Sequence, residues 1–381
     1  MLPKSSLIRL LFSALTILHC AFAAPFSNNT FSSFAGSNNY FLHGLSVEEQ
    51  TTYVQTLAGW GAKVVRLWVT GTSGSCVKGS LTTNISNLEL EGSIGTYHTE
   101  VLAALDDTLK LLHENGMKAI ISPHDAGVIN GVNGCDAYCK KYTNQENFYT
   151  NKTARSEYDN RLTEILSYVS PNFGKPWSQL SDVILAFDIQ NEPMINAMEF
   201  LEMDDPMAWF CGRATVMKDL IGSNSSVKVA TGGIGGSEYC CDHEYNIIDS
   251  VLDCSAIDII SVHGYMTEAS QWEYFIPSLV ETAANKSKHL MIEEWGVSAS
   301  PTGQFDEQVA VLNDNGVPWL YWEIVPGCDE TQNCSGTCST ASNGYDSYEI
   351  GLNSSKGDVK SAIASANNAT AMQDWTATLA W

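Results

Sequence analysis

The strongest constraint on the fold of this chain is a recurrence of polarity pattern. Short apolar runs of strand length occur at Phe34–Tyr40, Lys63–Val69, Lys118–Ser122, Val183–Gln190, Val227–Ala230, Ile257–Val262, His289–Glu293 and Trp319–Ile324. Stretches with helical spacing separate them. The first opens on a capping box at Ser46 and Glu49, and the second, Thr96–Gly116, closes on a glycine. Others cover roughly 153–169, 207–221, 246–252, 270–284, 304–314 and 357–366. Strand followed by helix, eight times over, predicts a single α/β domain: a (β/α)8 or TIM barrel. Runs such as "VILAFDI" are nearly apolar throughout because parallel strands are covered on both faces.

The N-terminus reads as a targeting segment. Lys4 and Arg9 precede the apolar run Leu10–Ala24, too short to span a bilayer, and Ala21-Phe22-Ala23 supplies a small-x-small cleavage pattern. The expected division is a secretory signal over 1–23 and a barrel over 24–381. Of the 11 cysteines, Cys20 leaves with the signal and an even number remains, so disulfides are the leading reading in an oxidising compartment. The spacings Cys135-x3-Cys139 and Cys334-x3-Cys338 would also suit zinc, although no paired histidines accompany them. Eight N-x-S/T sequons, at Asn28, Asn84, Asn151, Asn224, Asn285, Asn333, Asn353 and Asn368, fit an exported glycoprotein.

Charge narrows the partners. The formal net charge of −23 becomes more negative once Lys4 and Arg9 are lost. Nucleic acid and anionic membranes would be repelled, which leaves a neutral partner; with the export signals, the expectation is a secreted, extracellular protein, taken as a monomer.

In barrels of this kind the active site lies at the C-terminal ends of the strands. The fourth run, "ILAFDIQNEPMI", therefore delivers Glu192 to the cleft. Taken alone, a glutamate in a turn more often caps a helix or pairs with lysine. A second carboxylate appears at the end of the seventh run, "HLMIEEWGVS", in Glu293 and Glu294. Two carboxylates on opposite walls can divide glycoside cleavage between a nucleophile and a proton shuttle.

With these motifs in place, the chain resembles glycoside hydrolase family 5, a family of retaining β-glycanases on (β/α)8 barrels. The resemblance runs from "FAGSNNYFL" to "WLYWEI". It implies substrate-binding roles for Arg66 in "KVVRLWV", His124 in "ISPHDAG", Asn191 beside Glu192, His263 and Tyr265 in "SVHGYM", and Trp322 in "YWEI". It also implies that Glu294, directly before an aromatic and a glycine, is the nucleophile, with Glu192 as acid/base. Strand alternation then turns Glu293 to the opposite side, in a structural role. Arg66 and a hydrogen bond from Tyr265 are expected to favour the Glu294 anion, and the neighbouring carboxylate to keep Glu192 protonated. Asn191 is expected on the sugar 2-hydroxyl, Trp322 under the sugar ring, and the two histidines on hydroxyls and carboxylates.

No metal or organic cofactor is implied. The rival hydrolase class, with His124, Asp125 and His263 around a metal, lacks the His-x-His that many such barrels carry after strand one, where this chain has "GSNNY". Within the family, "FAGSNNYFL" and "VVRLW" resemble β-mannanases, so β-1,4-mannan is the expected polysaccharide substrate. "ISPHDAG" is closer to the Pro-His of family cellulases, which keeps an endo-β-glucanase or exo-β-glycosidase as the second reading. A non-catalytic carbohydrate-binding barrel is the third, disfavoured because both carboxylates are present. Trp68, Trp272 and Trp295 are candidate sugar platforms. The loops Gly71–Gly95, Ala126–Thr150 and Pro326–Ser347 are expected to shape the subsites.

Overall fold

The computed structural model describes residues 31–71, 89–197, 206–237, 239–240, 243–244, 246–298, 304–327, 347–352, 354 and 356–380. Eight strands close into one parallel barrel: β1 (Ala35–Asn38), β2 (Val64–Trp68), β3 (Lys118–Ser122), β4 (Ile184–Asp188), β5 (Lys228–Ala230), β6 (Ile259–Gly264), β7 (His289–Trp295) and β8 (Trp319–Tyr321). Each pairs with its sequence neighbours, and β8 returns to β1 with Ala35 opposite Trp319. The eight predicted strand runs all contribute to the barrel.

The expected helices are present as α1 (Val47–Trp60), α2 (Glu100–Glu114), α3 (Lys152–Ser167), α4 (Pro206–Ile221), α5 (Asp249–Leu252), α6 (Ala269–Lys286), α7 (Phe305–Asp314) and α8 (Val359–Asn368). At the start of α1 the Ser46 hydroxyl accepts the Glu49 backbone N–H, as its sequence predicts. Gly61, in the left-handed region at φ 94°, ends the helix. Among the described residues no helix is long and apolar enough to cross a membrane.

Two apolar layers follow from strand alternation. Val64, Ile120, Leu185, Ala230, Ile259, Met291 and Leu320 belong to one buried cluster, while their neighbours Val65, Ile121, Ile184, Val229, Ile260 and Ile292 pack with the helices in another. Phe34 and Trp375 belong to the first cluster as well, their rings edge to face at 5.3 Å. The Lys118 ammonium donates to the carbonyls of Ser181, Thr378 and Ala380, fastening the C-terminal segment where β3 begins.

Strand ends depart from expectation where side chains must leave the ladder. β4 stops at Asp188, short of Gln190, and β8 stops at Tyr321, beyond which Ile324–Val325 pairs with Ile350–Gly351 outside the barrel. β7 runs further than predicted, to Trp295. The described cysteine pairs form the disulfides Cys135–Cys139 and Cys211–Cys254. The first removes the zinc alternative at Cys135-x3-Cys139, because its two sulfurs are bonded to each other. The described sequon residues Asn151, Asn224, Asn285 and Asn368 are exposed. The expected signal over 1–23, Cys76, Cys241, Cys328, Cys334, Cys338 and the sequons at Asn28, Asn84, Asn333 and Asn353 lie outside the described residues.

Candidate active site

Arg66 continues the inward alternation of β2 above Val64 and is completely buried. A guanidinium there needs anionic partners from several walls. Its Nε donates to Asp188 Oδ2 at 2.9 Å, and its Nη1 to Glu294 Oε2 at 3.0 Å and Asn38 Oδ1 at 3.2 Å. Its Nη2 donates to Asn191 Oδ1 at 2.8 Å, and Glu293 Oε2 lies 3.5 Å from Nε. One residue thus ties β1, β2, β4 and β7 together beneath the cleft.

Glu192 follows β4 on a strained turn: its φ is 46°, with Met194 at 63° and Asn196 at 54°. The turn is held by the Glu192 N–H donating to Gly232 O at 2.7 Å. Glycine is required at that contact, since a Cβ on Gly232 would sit 1.9 Å from Gln190 O, and one on Gly233 2.3 Å from the His263 ring. With the backbone so close, the His263 imidazole fits between the carboxylates. Its Nδ1 is 3.0 Å from Glu192 Oε1 and 3.3 Å from Glu294 Oε2. One ligand atom each of Glu192, His263 and Glu294 lie within 4.8 Å of one another. Tyr265 donates its hydroxyl to Glu294 Oε1. Glu192 keeps 15% of its side chain exposed and Glu294 5%.

Glu293 corrects the alternation argument. Along the β6–β7 ladder Val262 faces Ile292 but His263 faces Glu294, so Glu293 is the extra residue of a bulge. The bulge cancels the alternation at this point. Glu293 is fully buried, with Oε2 3.3 Å from His263 Nε2, and it shares Arg66 with Glu294.

The electrostatics also differ from the expectation for Glu294. Burial pushes its carboxyl up, the Glu192 charge adds to that, and His263, Arg66 and Tyr265 pull the other way; the result is about 7. Desolvation therefore outweighs the stabilisation anticipated from Arg66 and Tyr265. Burial, with Glu293 beside it, raises Asp188 to about 8 against the opposing pull of Arg66. Glu293 is depressed, because Arg66 and His263 overcome its own burial.

His124 differs from its expected role on sugar hydroxyls. It is buried, its Nε2 is 2.8 Å from Asp136 Oδ2 and its Nδ1 accepts from Gln190 Nε2 at 2.9 Å, so both ring nitrogens are used within the protein. Gln190 Oε1 accepts from the Tyr149 hydroxyl, which in turn accepts the Met194 N–H. His124 therefore acts on the turn that carries Glu192. Asp125, named only in the metal alternative, accepts from Asn191 Nδ2 at 2.9 Å, and also from Asn133 and the Gly127 N–H. Arg66 and Asp125 together fix which way the Asn191 amide points. Among the described residues, His124, Asp125 and His263 do not gather at ligating distance.

Trp322 is half-buried and stacks with Trp68 at 5.4 Å and Tyr40 at 6.0 Å. The peptide bond after it is cis. Trp272 and Trp295 belong to the core and not to a cleft: the first donates to Gln308 from inside α6, and the second packs on Phe305, Trp319 and Tyr321. Sequence reasoning passed over Asn38 and Asp188, and named Asp125 only as a metal ligand. Asp188 had a signal, as the single charge inside "VILAFDI", since a buried carboxylate requires a partner and Arg66 is the cation in the matching position of β2.

The family model for Cellulase (glycosyl hydrolase family 5) matches residues 24–327. No curated protein sequence matches the chain. Among solved structures, the endo-β-1,4-mannanase from Thermotoga petrophila is 19% identical with a TM-score of 0.65, over 91% of this chain and 78% of that one. The endo-1,4-β-mannanase from Rhizomucor miehei is 17% identical with a TM-score of 0.63, over 88% and 94%. The endoglucanase from Pseudomonas stutzeri is 15% identical with a TM-score of 0.55, over 89% and 94%. These likenesses establish a shared fold. The family match starts ahead of β1 and ends past β8, so it takes in every strand of the barrel, and the chain belongs to glycosyl hydrolase family 5, the enzymes of which are glycosidases.

Proposed function

We propose that this glycosidase is a retaining enzyme in which Glu294 is the nucleophile and Glu192 the acid/base. The observation that carries the reading is the approach of the two side chains to within 4.8 Å through one oxygen of each. Retaining enzymes hold their carboxyl groups about 5–5.5 Å apart, whereas inverting ones separate them by about 6.5–9.5 Å to admit a water. In the first step Glu294 attacks the anomeric carbon as Glu192 gives its proton to the departing oxygen. In the second, Glu192 takes a proton from the water that hydrolyses the glycosyl ester. Arg66 and Tyr265 balance the Glu294 charge, and Asn191, oriented by Arg66 and Asp125, meets the 2-hydroxyl. Trp322, backed by Trp68 and Tyr40, supplies the floor for the reacting ring.

The proposed substrate is β-1,4-mannan, cut internally. In support, the motifs that resemble β-mannanases, "FAGSNNYFL" and "VVRLW", contribute Tyr40, Arg66 and Trp68 to the wall around Trp322, and two of the similar structures are named as mannanases. Export is part of the proposal, supported by the charged and apolar N-terminus and by two disulfides. The test is release of reducing ends from β-mannan, glucomannan, cellulose and β-1,3/1,6-glucan, with the anomer of the first product followed by NMR. Retained β-configuration on mannan is the expected result. Initial α-product would overturn the retaining mechanism, and preference for cellulose or β-1,3/1,6-glucan would replace mannan.

A further inference from the structure

His263 has a carboxylate on each side. Nδ1 faces Glu192 at 3.0 Å and Glu294 at 3.3 Å, and Nε2 faces Glu293 at 3.3 Å, with the ring completely buried. A neutral imidazole carries one N–H. If Nδ1 held it, the Nε2 lone pair would oppose the Glu293 carboxylate in a site without solvent. Glu293 is itself beside Arg66 and has no route to water. The arrangement demands a proton on Nε2 at all times, and leaves Nδ1 as the position where a proton can come and go.

We propose that Glu293, the residue before the nucleophile, is a positioning residue for the reaction: it pins the Nε2–H of His263 so that Nδ1 exchanges a proton with Glu192. The proposal rests on Glu192 being the acid/base. In the resting site the imidazole holds both protons and Glu192 is a carboxylate. Breaking Nδ1–H and forming Glu192 Oε1–H cancels a positive charge against a negative one, and leaves a neutral ring still donating from Nε2 to Glu293. Glu192 passes that proton to the departing glycosidic oxygen as the C–O bond breaks. The proton it later takes from the attacking water returns to Nδ1, which restores both charges. Nothing outside the site is consumed.

Charges from the other walls set the balance. Arg66 on β2 opposes the imidazolium, while Glu294 and Glu293 on β7 and Glu192 after β4 favour it. Asp188 on β4 and Asp125 after β3 act at one remove, through Arg66 and Asn191. Tyr265, just past β6, is committed to Glu294, and among the described residues the turn after β5 brings the uncharged Gly232 and Gly233 to this spot. Burial lowers the pKa of His263, but the three carboxylates more than reverse this and raise it to about 10. The bulge that brings Glu293 inward has, on this reading, a chemical purpose.

The test compares the full-length enzyme with Glu293→Gln and Glu293→Asp by two readouts. In protein labelled with 15N-histidine, the His263 ring of the parent should remain doubly protonated at pH 8, where an ordinary histidine, with its pKa near ~6.5, is neutral. In Glu293→Gln the ring should lose its second proton at least about one pH unit lower, and Glu293→Asp should lie between. The alkaline limb of kcat/KM should move down by the same interval, whatever the height of its plateau. A neutral His263 at pH 8 in the parent overturns the proposal, and so does a uniform loss of activity with the limb unmoved. The NMR readout needs no turnover. If Glu192→Gln stays active while the parent ring behaves as stated, the acid/base reading of Glu192 fails and the Glu293–His263 pairing stands.

Discussion

Arg66 Nε donates to Asp188 Oδ2 at 2.9 Å with both side chains completely buried, so the β2–β4 wall of the barrel is joined by an ion pair out of reach of water. The same guanidinium serves Glu293 and Glu294. Removing it takes the guanidinium from three buried carboxylates, leaving Glu293 and Glu294 to His263 and Tyr265. Arg66→Ala should therefore lose about 3–5 kcal/mol of unfolding free energy. Arg66→Lys should recover only part of that, because a single ammonium cannot replace the planar fork. Urea titration measures both, and a loss below about 1 kcal/mol for Arg66→Ala would contradict the central position given to this residue.

With Glu294 as the proposed nucleophile, its raised carboxyl should set the acid limb of activity. Attack requires the anion, so kcat/KM for the free enzyme should fall as pH drops through about 7, above the ordinary carboxylate range. For stability the sign is opposite to that of a salt-bridged acid. A folded pKa above the unfolded 4.5 gives a contribution present below 4.5 and lost as pH rises through about 7. Tyr265→Phe deletes a donor to the anion and should shift the acid limb up by roughly one unit. A limb that stays in place would remove Tyr265 from the charge balance of Glu294.

Glu192 and Glu294 should fail in different ways. On the proposed mechanism Glu294→Gln removes the nucleophile and should cost at least about 10⁴-fold in kcat on every substrate. With Glu192 as the proposed acid/base, Glu192→Gln removes proton transfer and should cost roughly 10²–10⁴-fold on polysaccharide. The loss should be far smaller on aryl glycosides whose leaving group needs no proton. Equal losses for Glu192→Gln on both substrate types would argue against its acid role.

The two disulfides should differ in their effect on stability. Cys211–Cys254 closes a loop of 43 residues and Cys135–Cys139 one of only 4. In the chain-entropy description their removal costs about 4 and about 2 kcal/mol respectively. Alanine pairs at each site, compared by chemical denaturation, check the order. The short bridge also encloses Asp136, which holds His124, so its loss should lower kcat more than its small stability effect suggests.

Much of this architecture was legible without coordinates. Eight apolar runs of strand length, each followed by helical spacing, allow few arrangements other than a closed parallel barrel, since each strand needs cover on both faces. Ser46 and Gly61 mark helix ends through backbone hydrogen bonding that is local in sequence. Arg66, Asn191, Glu192, His263, Tyr265, Glu294 and Trp322 all fall at or near strand ends, and the fold brings all of them but Trp322 into one bonded network, with Trp322 on the aromatic wall beside it. Side-chain direction was less accessible. Glu293 was expected to face away from Glu294 because alternation holds within an unbroken ladder, and the bulge opposite His263 arises from pairing between β6 and β7.

His124 illustrates the same division, since its position after β3 is local but its partners are Asp136 and Gln190, set by a loop and by the next strand. The sequence alone determined the order of strands and helices and which residues reach the strand ends, because periodicity, caps and turns act over a few residues. The tertiary structure alone decided which carboxylates share Arg66 and His263, and which of them desolvation pushes toward the protonated state. Those outcomes depend on distances of a few ångströms between residues more than a hundred apart in the chain, in an interior where losing water outweighs the attraction of a single neighbouring charge.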